Sequence, residues 1–158
     1  MLAASPTLPL FLTMSGCKGP AVLSAPPTVS PQTQTLLHAV TAELNLIWIY
    51  NKAISAYSGL AATLAPLRAE HEAHLVQLRG RVIEPPGKRV PDTVTERPAL
   101  GATAATTLAQ LRAAEQAAVK ALMIRLNGAS PSLAQLYASI AASEATHVSV
   151  LTARIGAR

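Results

Sequence analysis

Apolar residues recur at helical spacing in four segments of this chain, and each segment also carries ionisable residues on its apolar face. In the last segment, Glu144 and His147 take two positions of that face. The apolar residues around them are Leu133, Tyr137, Ile140 and Leu151. Burying ionisable groups without partners costs several kcal/mol each, a large part of the stability of a domain. We therefore expect these groups to find a partner in the interior.

The three earlier segments show the same pattern. The ionisable residues on their apolar faces are Glu43 in the first, His71 and His74 in the second, and Glu115 in the third. The chain has only eight Asp and Glu, so three glutamates on apolar faces are informative. Carboxylate oxygens and imidazole nitrogens that converge in a core are ligands for a transition-metal ion, whose charge makes their burial tolerable.

The composition favours a single all-α domain. The chain has 158 residues, of which 50% are hydrophobic and only 3% aromatic, which suits closely packed helices better than a sheet. The net charge of +5 would suggest nucleic acid as a partner, but the basic residues form no stripe, so we expect no such partner. The sequence contains no phosphate loop, nucleotide fingerprint or nucleophile-base-acid triad.

Capping and helix-breaking residues divide the chain into four helices. We expect them at about residues 35–57, 63–80 and 102–126, and from Ser130 and Pro131 onward. Pro66 is placed in the first turn of the second helix, where proline is tolerated. The proline-rich residues 81–100 can extend over about 60 Å, more than the roughly 30 Å of a neighbouring helix. The sequence thus predicts two helical hairpins joined by a long crossover between helices 2 and 3.

Residues 1–17 are similar to the signal segment of a bacterial lipoprotein. An apolar run at 8–14 precedes Cys17, the only cysteine, and Met14-Ser15-Gly16-Cys17 resembles a lipobox. Residues 18–34, rich in Pro, Ser and Thr, would form a tether, and residues 35–158 the bundle. We expect an exported protein held at the cell envelope by a lipid on Cys17; the alternative is a cytoplasmic protein with a disordered tail. Residues 1–9 lack the basic residue of a signal peptide, which a start further upstream would supply.

The order of these residues along the chain resembles the ferritin-like superfamily, with Glu43, a two-ligand motif in helix 2, Glu115, and Glu144-Ala145-Thr146-His147. The runs Ala42-Glu43, 69–74 and 141–147 are more closely similar to an uncharacterised ferritin-like domain family of exported actinobacterial proteins. The resemblance covers roughly residues 35–155. It implies a ferritin-like four-helix bundle with the six named residues around its centre, and no particular reaction.

Helix 2 departs from the di-iron pattern of that superfamily. Its members have Glu-x-x-His there, whereas the residue three before His74 is His71. A carboxylate bridges two metals with its two oxygens, whereas a neutral imidazole offers one nitrogen, so one ion or two both remain open. Zinc, iron, manganese and copper all suit such ligands. Glu70 and Glu72 lie about 100° from the apolar face and are auxiliary candidates that would require rotation of the helix.

Other residues near the apolar faces have simpler interpretations. We expect His38 to be solvated, and the hydroxyls of Tyr50, Tyr57 and Tyr137 to be bonded to neighbours while their rings pack in the core.

Two hypotheses about function follow from the sequence. In the first, the bundle binds one or two transition-metal ions for metal handling or oxidation chemistry. In the second, it is a non-catalytic envelope module that binds a protein partner or a second copy of itself, with a vestigial, metal-free polar core. The sequence leaves open whether the protein is an enzyme.

Overall fold

The structure, a computed structural model, describes residues 29–83 and 90–157. These residues form four α-helices: α1 (Pro31–Ala56), α2 (Ala61–Arg79), α3 (Ala104–Arg125) and α4 (Pro131–Gly156). A single 3-10 turn, Ser58–Leu60, joins α1 to α2. No strand occurs in the two described ranges, and the prediction of an all-α fold is confirmed. Cys17, the lipobox-like segment and residues 18–28 of the expected tether lie outside the described residues.

The start of α1 lies four residues before the predicted one. Ser30 is the N-cap, since its Oγ accepts a hydrogen bond from the backbone N–H of Thr33 at 3.1 Å, and Pro31 follows at the first helical position. Residues 31–34, which we assigned to the tether, therefore form the first turn of α1. A Ser-Pro pair also opens α4, with Ser130 at the N-cap position and Pro131 at the first helical position, but there the serine side chain accepts no capping hydrogen bond.

The expected place of Pro66 was wrong. Because α2 begins at Ala61, Pro66 lies inside the helix rather than in its first turn. Proline has no N–H to donate to the carbonyl four residues earlier, that of Ala62. The buried side chains of Leu60, Leu64 and Leu67 hold this end of α2 in the core despite that loss.

The crossover between α2 and α3 runs back along α1. Near its start, the Arg79 guanidinium donates to the Pro91 carbonyl at 2.9 Å, and midway the Asn45 side chain accepts from the Thr95 N–H at 3.1 Å. Near its end, the Tyr57 hydroxyl, at the end of α1, donates to the Gly101 carbonyl at 2.8 Å. Helices α2 and α3 consequently begin at the same end of the bundle and run parallel, as the length of the crossover predicted.

Two apolar clusters fill the bundle, one toward each end, with polar residues between them. The first contains Leu36, Val40, Leu78, Leu133 and Tyr137, among others. The second contains Tyr50, Leu64, Leu108, Leu111 and Leu151, among others. Pairing is closest between α1 and α2 and between α3 and α4, so the molecule consists of two hairpins packed against each other. Within the described residues, no helix has the length and apolarity needed to cross a bilayer.

Candidate metal centre

The six residues predicted from the apolar faces lie together between the two apolar clusters. They are Glu43 on α1, His71 and His74 on α2, Glu115 on α3, and Glu144 and His147 on α4. All six are buried, and even the most exposed of them, His74, keeps only 8% of its surface accessible. We call these six residues the polar layer. Their helices bring them to one level because each residue lies near the middle of its helix.

His71 lies at the centre of the polar layer and uses both ring nitrogens. Its Nδ1 is 2.8 Å from Oε2 of Glu43, and its Nε2 is 2.8 Å from Oε1 of Glu115. Burial by itself would lower the pKa of His71, but the hydrogen bonds to Glu115 and Glu43 and their charges outweigh it and raise the pKa to about 10. Without a metal, His71 is therefore an imidazolium that donates to a carboxylate on each side.

Of the three glutamates of the polar layer, two have a lowered pKa and one has a raised pKa. Burial would raise the pKa of Glu115, but the nearby His147 and the hydrogen bond with His71 prevail and lower it to about 2. Burial would raise the pKa of Glu43 too, but the hydrogen bond with His71 and the nearby His74 outweigh it and lower the pKa. Glu144 lacks such donors, so burial, together with the charges of Glu43 and Glu115, raises its pKa to about 9. At neutral pH, Glu144 is thus the protonated member of the three.

The two outer histidines each keep a nitrogen without a hydrogen bond. His74 Nδ1 stands 3.6 Å from Oε1 of Glu43, too far for a hydrogen bond. His147 Nδ1 stands 3.5 Å from Oε1 of Glu115 and makes none either. His147 Nε2, on the other side of the ring, is 3.0 Å from Oε2 of Glu70 and donates its proton there. The ring nitrogen of His147 that faces the layer is therefore the one left with its lone pair.

Two carboxylate oxygens in the layer are equally without partners. Glu115 Oε2 and Glu144 Oε2 are buried and accept no hydrogen bond from the described residues. Together with His74 Nδ1 and His147 Nδ1, they make four such atoms on residues of the polar layer. Leaving a buried polar atom unsatisfied costs about 1–3 kcal/mol, so native proteins rarely cluster them without a reason.

The ligand-type atoms of the layer fall into two sets that share one residue. One set joins Glu43, His71, His74 and Glu144; the other joins His71, Glu115 and His147. Within each set, one nitrogen or oxygen atom per residue lies within 4.8 Å of every other. Each set is compact enough to surround a metal ion, and His71 belongs to both. The larger set takes residues from α1, α2 and α4, and the smaller from α2, α3 and α4.

Glu70 contacts the polar layer from the surface without any rotation of α2. Its side chain is 53% exposed, yet its Oε2 accepts from Ser143 Oγ at 2.6 Å as well as from His147. The hydrogen bond from Ser143, and to a smaller extent the one from His147, lowers the pKa of Glu70, so the carboxylate is ionised. Sequence spacing placed Glu70 off the apolar face and could not show this contact, because the contact depends on how α2 and α4 pack. Glu72 is exposed and pairs instead with Arg68 at 3.4 Å.

Tyr50 also contacts the polar layer, through a hydrogen bond to Glu115 that helical spacing could not predict. Its hydroxyl donates to Oε1 of Glu115 at 2.5 Å. Burial, and next the charge of Glu115, raise the pKa of Tyr50 above its ordinary value, so it stays protonated as a donor. The expected hydroxyl bonds of Tyr50 and Tyr57 are confirmed, whereas the Tyr137 hydroxyl has no partner among the described residues. His38 is exposed, as predicted.

An apolar groove of about 330 Å³ lies beside the layer, between α1, α3 and the crossover. Ala42 and Leu46 line one wall and Ala114 and Ala118 the other. Neither Glu43 nor Glu115 lines the groove, although both are neighbours of residues that do. The groove is therefore separate from the polar layer.

Comparison of the chain with protein-family models, with curated proteins and with solved structures found no match. The chemistry of the polar layer is therefore the basis for inferring a function. Its donors are imidazole nitrogens and carboxylate oxygens, a mixture that suits zinc, iron, manganese or copper.

Proposed function

We propose that this protein is a metal-binding bundle of the ferritin-like kind, whose polar layer holds transition-metal ions. The observation that carries the proposal is the group of four partnerless buried atoms on His74, His147, Glu115 and Glu144. Each belongs to a residue of the two ligand sets. A divalent ion would accept their lone pairs and offset the negative charge of the carboxylates, which removes the cost of burying them.

Metal handling and oxidation chemistry are both compatible with such a centre. His and Glu ligands hold redox-active ions such as iron, copper and manganese as well as zinc, and the bundle keeps bulk water away from them. The chain's own residues would supply a hydrogen-bond donor at Tyr50 and a surface carboxylate at Glu70.

A metal-free interaction module is the competing proposal. It is supported by the ion pairs of His71, which satisfy both nitrogens of that ring without any metal. If the layer is vestigial, replacing Glu144 by Met and His147 by Leu should leave stability unchanged or raise it, because buried polar groups are replaced by apolar ones of similar size. If the layer is a metal centre, the same changes should abolish binding and the stability that the ion confers.

The deciding experiment is elemental analysis of the full chain produced in medium supplemented with zinc, iron, manganese and copper. We expect at least one equivalent of metal per chain, and none in a variant with His71, His74 and His147 all replaced by Gln. Circular dichroism of both proteins checks that the variant keeps its helices. Absence of metal from the wild-type protein, with a variant that is equally stable or more stable, would favour the interaction module.

A further inference from the structure

The two ligand sets differ in size, and this difference points to a division of roles. We propose that the layer holds two ions, one on each side of the His71 ring, an inference that rests on the proposed function. We also propose that the ion in the smaller set keeps an open position for a small external anion.

The first step of the argument is the position of His71. It is the only residue common to both sets, and its two nitrogens face different carboxylates, Nδ1 toward Glu43 and Nε2 toward Glu115. The lone-pair directions of the two nitrogens diverge, so one ion cannot use both. With metal–nitrogen bonds of about 2.0–2.1 Å, ions on the two nitrogens would lie about 6 Å apart.

The second step is distance. Ligand atoms bound to one ion at about 2.0–2.2 Å lie roughly 3 Å from each other. The two contacts of His71 measure 2.8 Å each, so each already has the separation of neighbouring ligands on one metal. An ion that replaces the proton in either contact occupies the lone-pair axis of the ring nitrogen, so the carboxylate oxygen has to move off that axis by about 2 Å to remain its neighbour as a ligand. Binding of both ions then displaces the ring protons of His71, which leave to solvent, with no change of oxidation state.

The third step is the number of ligands. The set on the Nδ1 side has four residues, enough to complete a tetrahedral shell, as in sites that hold a metal for structure. The set on the Nε2 side has three, the number found where a fourth position is kept for water or substrate. The Tyr50 hydroxyl also lies at this three-residue set, where it donates its one proton to Oε1 of Glu115.

Cobalt(II) is a suitable probe, because its visible absorption reports its coordination and changes when an anion binds. We expect the metal-free full chain to take up two equivalents of Co²⁺. Azide should then alter the absorption of only one of the two ions.

Two matched variants separate the sites. Glu144→Gln removes a carboxylate ligand of the four-residue set only, and because the amide has the size and shape of the carboxyl group, the fold should be retained. His147→Gln removes a ligand of the three-residue set only. We expect Glu144→Gln to retain one tightly bound Co²⁺ that responds to azide, and His147→Gln to retain one that does not. Circular dichroism and thermal unfolding of the metal-free variants verify folding.

Several results would overturn this inference while leaving metal binding intact. One is saturation of the wild-type protein at a single equivalent of Co²⁺. Another is an azide response that survives in His147→Gln, which would place the open position in the four-residue set. Binding of no Co²⁺ and no other metal by the wild-type protein would instead remove the proposed function itself.

Discussion

At the scale of single residues, Glu70 decides which nitrogen of His147 carries the ring proton and which keeps its lone pair. Ser143 and His147 both donate to its Oε2, at 2.6 and 3.0 Å. Since an ionised carboxylate can only accept, the proton of the His147 ring lies on Nε2 and the lone pair on Nδ1, toward Glu115. A carboxylate that orients a histidine in this way is a common companion of metal-ligating imidazoles.

We expect Glu70→Ala to weaken binding of metal to the three-residue set by roughly 10- to 100-fold, because His147 loses the acceptor that fixes its orientation. Glu70→Gln keeps an oxygen acceptor and should restore part of the affinity. Affinity is measured by competition with a chromophoric chelator. The matched control is Glu72→Ala, which removes a neighbouring exposed carboxylate that does not touch the layer. Equal losses in Glu70→Ala and Glu72→Ala would show that only surface charge matters.

The sequence predicted which residues form the layer better than it predicted what each does there. Helical spacing is enough to place Glu43, Glu115 and Glu144 on buried faces, because it depends only on the local geometry of a helix. The double role of His71 depends on ring orientation, which spacing does not contain. The contact of Glu70 depends on how α2 and α4 approach each other, a property of the packed molecule.

At the scale of elements, α2 tolerates a proline that its sequence alone would exclude from the helix interior. Pro66 is exposed, so its ring adds little to the core, while Leu64 and Leu67 on either side are buried. Burial of these leucines thus outweighs the local cost of the proline. The predicted helix start failed here because the propensity of one residue was given more weight than tertiary packing. The start of α1 failed for another reason, because Ser30 and Pro31 were attributed to a tether.

Replacement of Pro66 by Ala should therefore stabilise the protein, by about 1–3 kcal/mol, because it restores an N–H donor to the Ala62 carbonyl and removes a steric clash. The free energy of unfolding is measured by urea titration. Pro131→Ala is the control, since Pro131 occupies the first turn of α4, where no donor is missing, and we expect a change close to zero. A Pro66→Ala protein that is no more stable than wild type would mean that the helix is already adapted to the proline.

At the scale of the whole molecule, the buried charges give the metal-free protein an acidic optimum of stability. The pKa of Glu144 rises on folding from 4.5 to about 9, and that of His71 from 6.5 to about 10. The folded state then binds more protons than the unfolded state above pH 4.5, so stability falls as pH increases. The pKa of Glu115 falls from 4.5 to about 2, so stability rises with pH over that lower range.

We expect the metal-free protein to be most stable near pH 5, and to lose up to about 1.4 kcal/mol per pH unit for each proton concerned at higher pH. Urea unfolding in the presence of a chelator, between about pH 3 and pH 9, measures this profile. Glu144→Gln should flatten the decline just above the optimum, since Gln does not titrate. A wild-type profile that is flat from about pH 5 to 9 would contradict the assigned protonation of the layer. Added metal should stabilise the protein most at the alkaline end, because the ion competes with protons for its ligands.

The division of the ligands between the two hairpins has a consequence for how the chain folds. Glu43, His71 and His74 come from the first hairpin, and Glu115, Glu144 and His147 from the second. Neither hairpin by itself contains a complete ligand set. Each hairpin can form quickly from contacts that are local in sequence, whereas the two meet only after the long crossover has closed. If the polar layer binds metal as proposed, uptake of metal by a refolding chain marks the docking of its two halves.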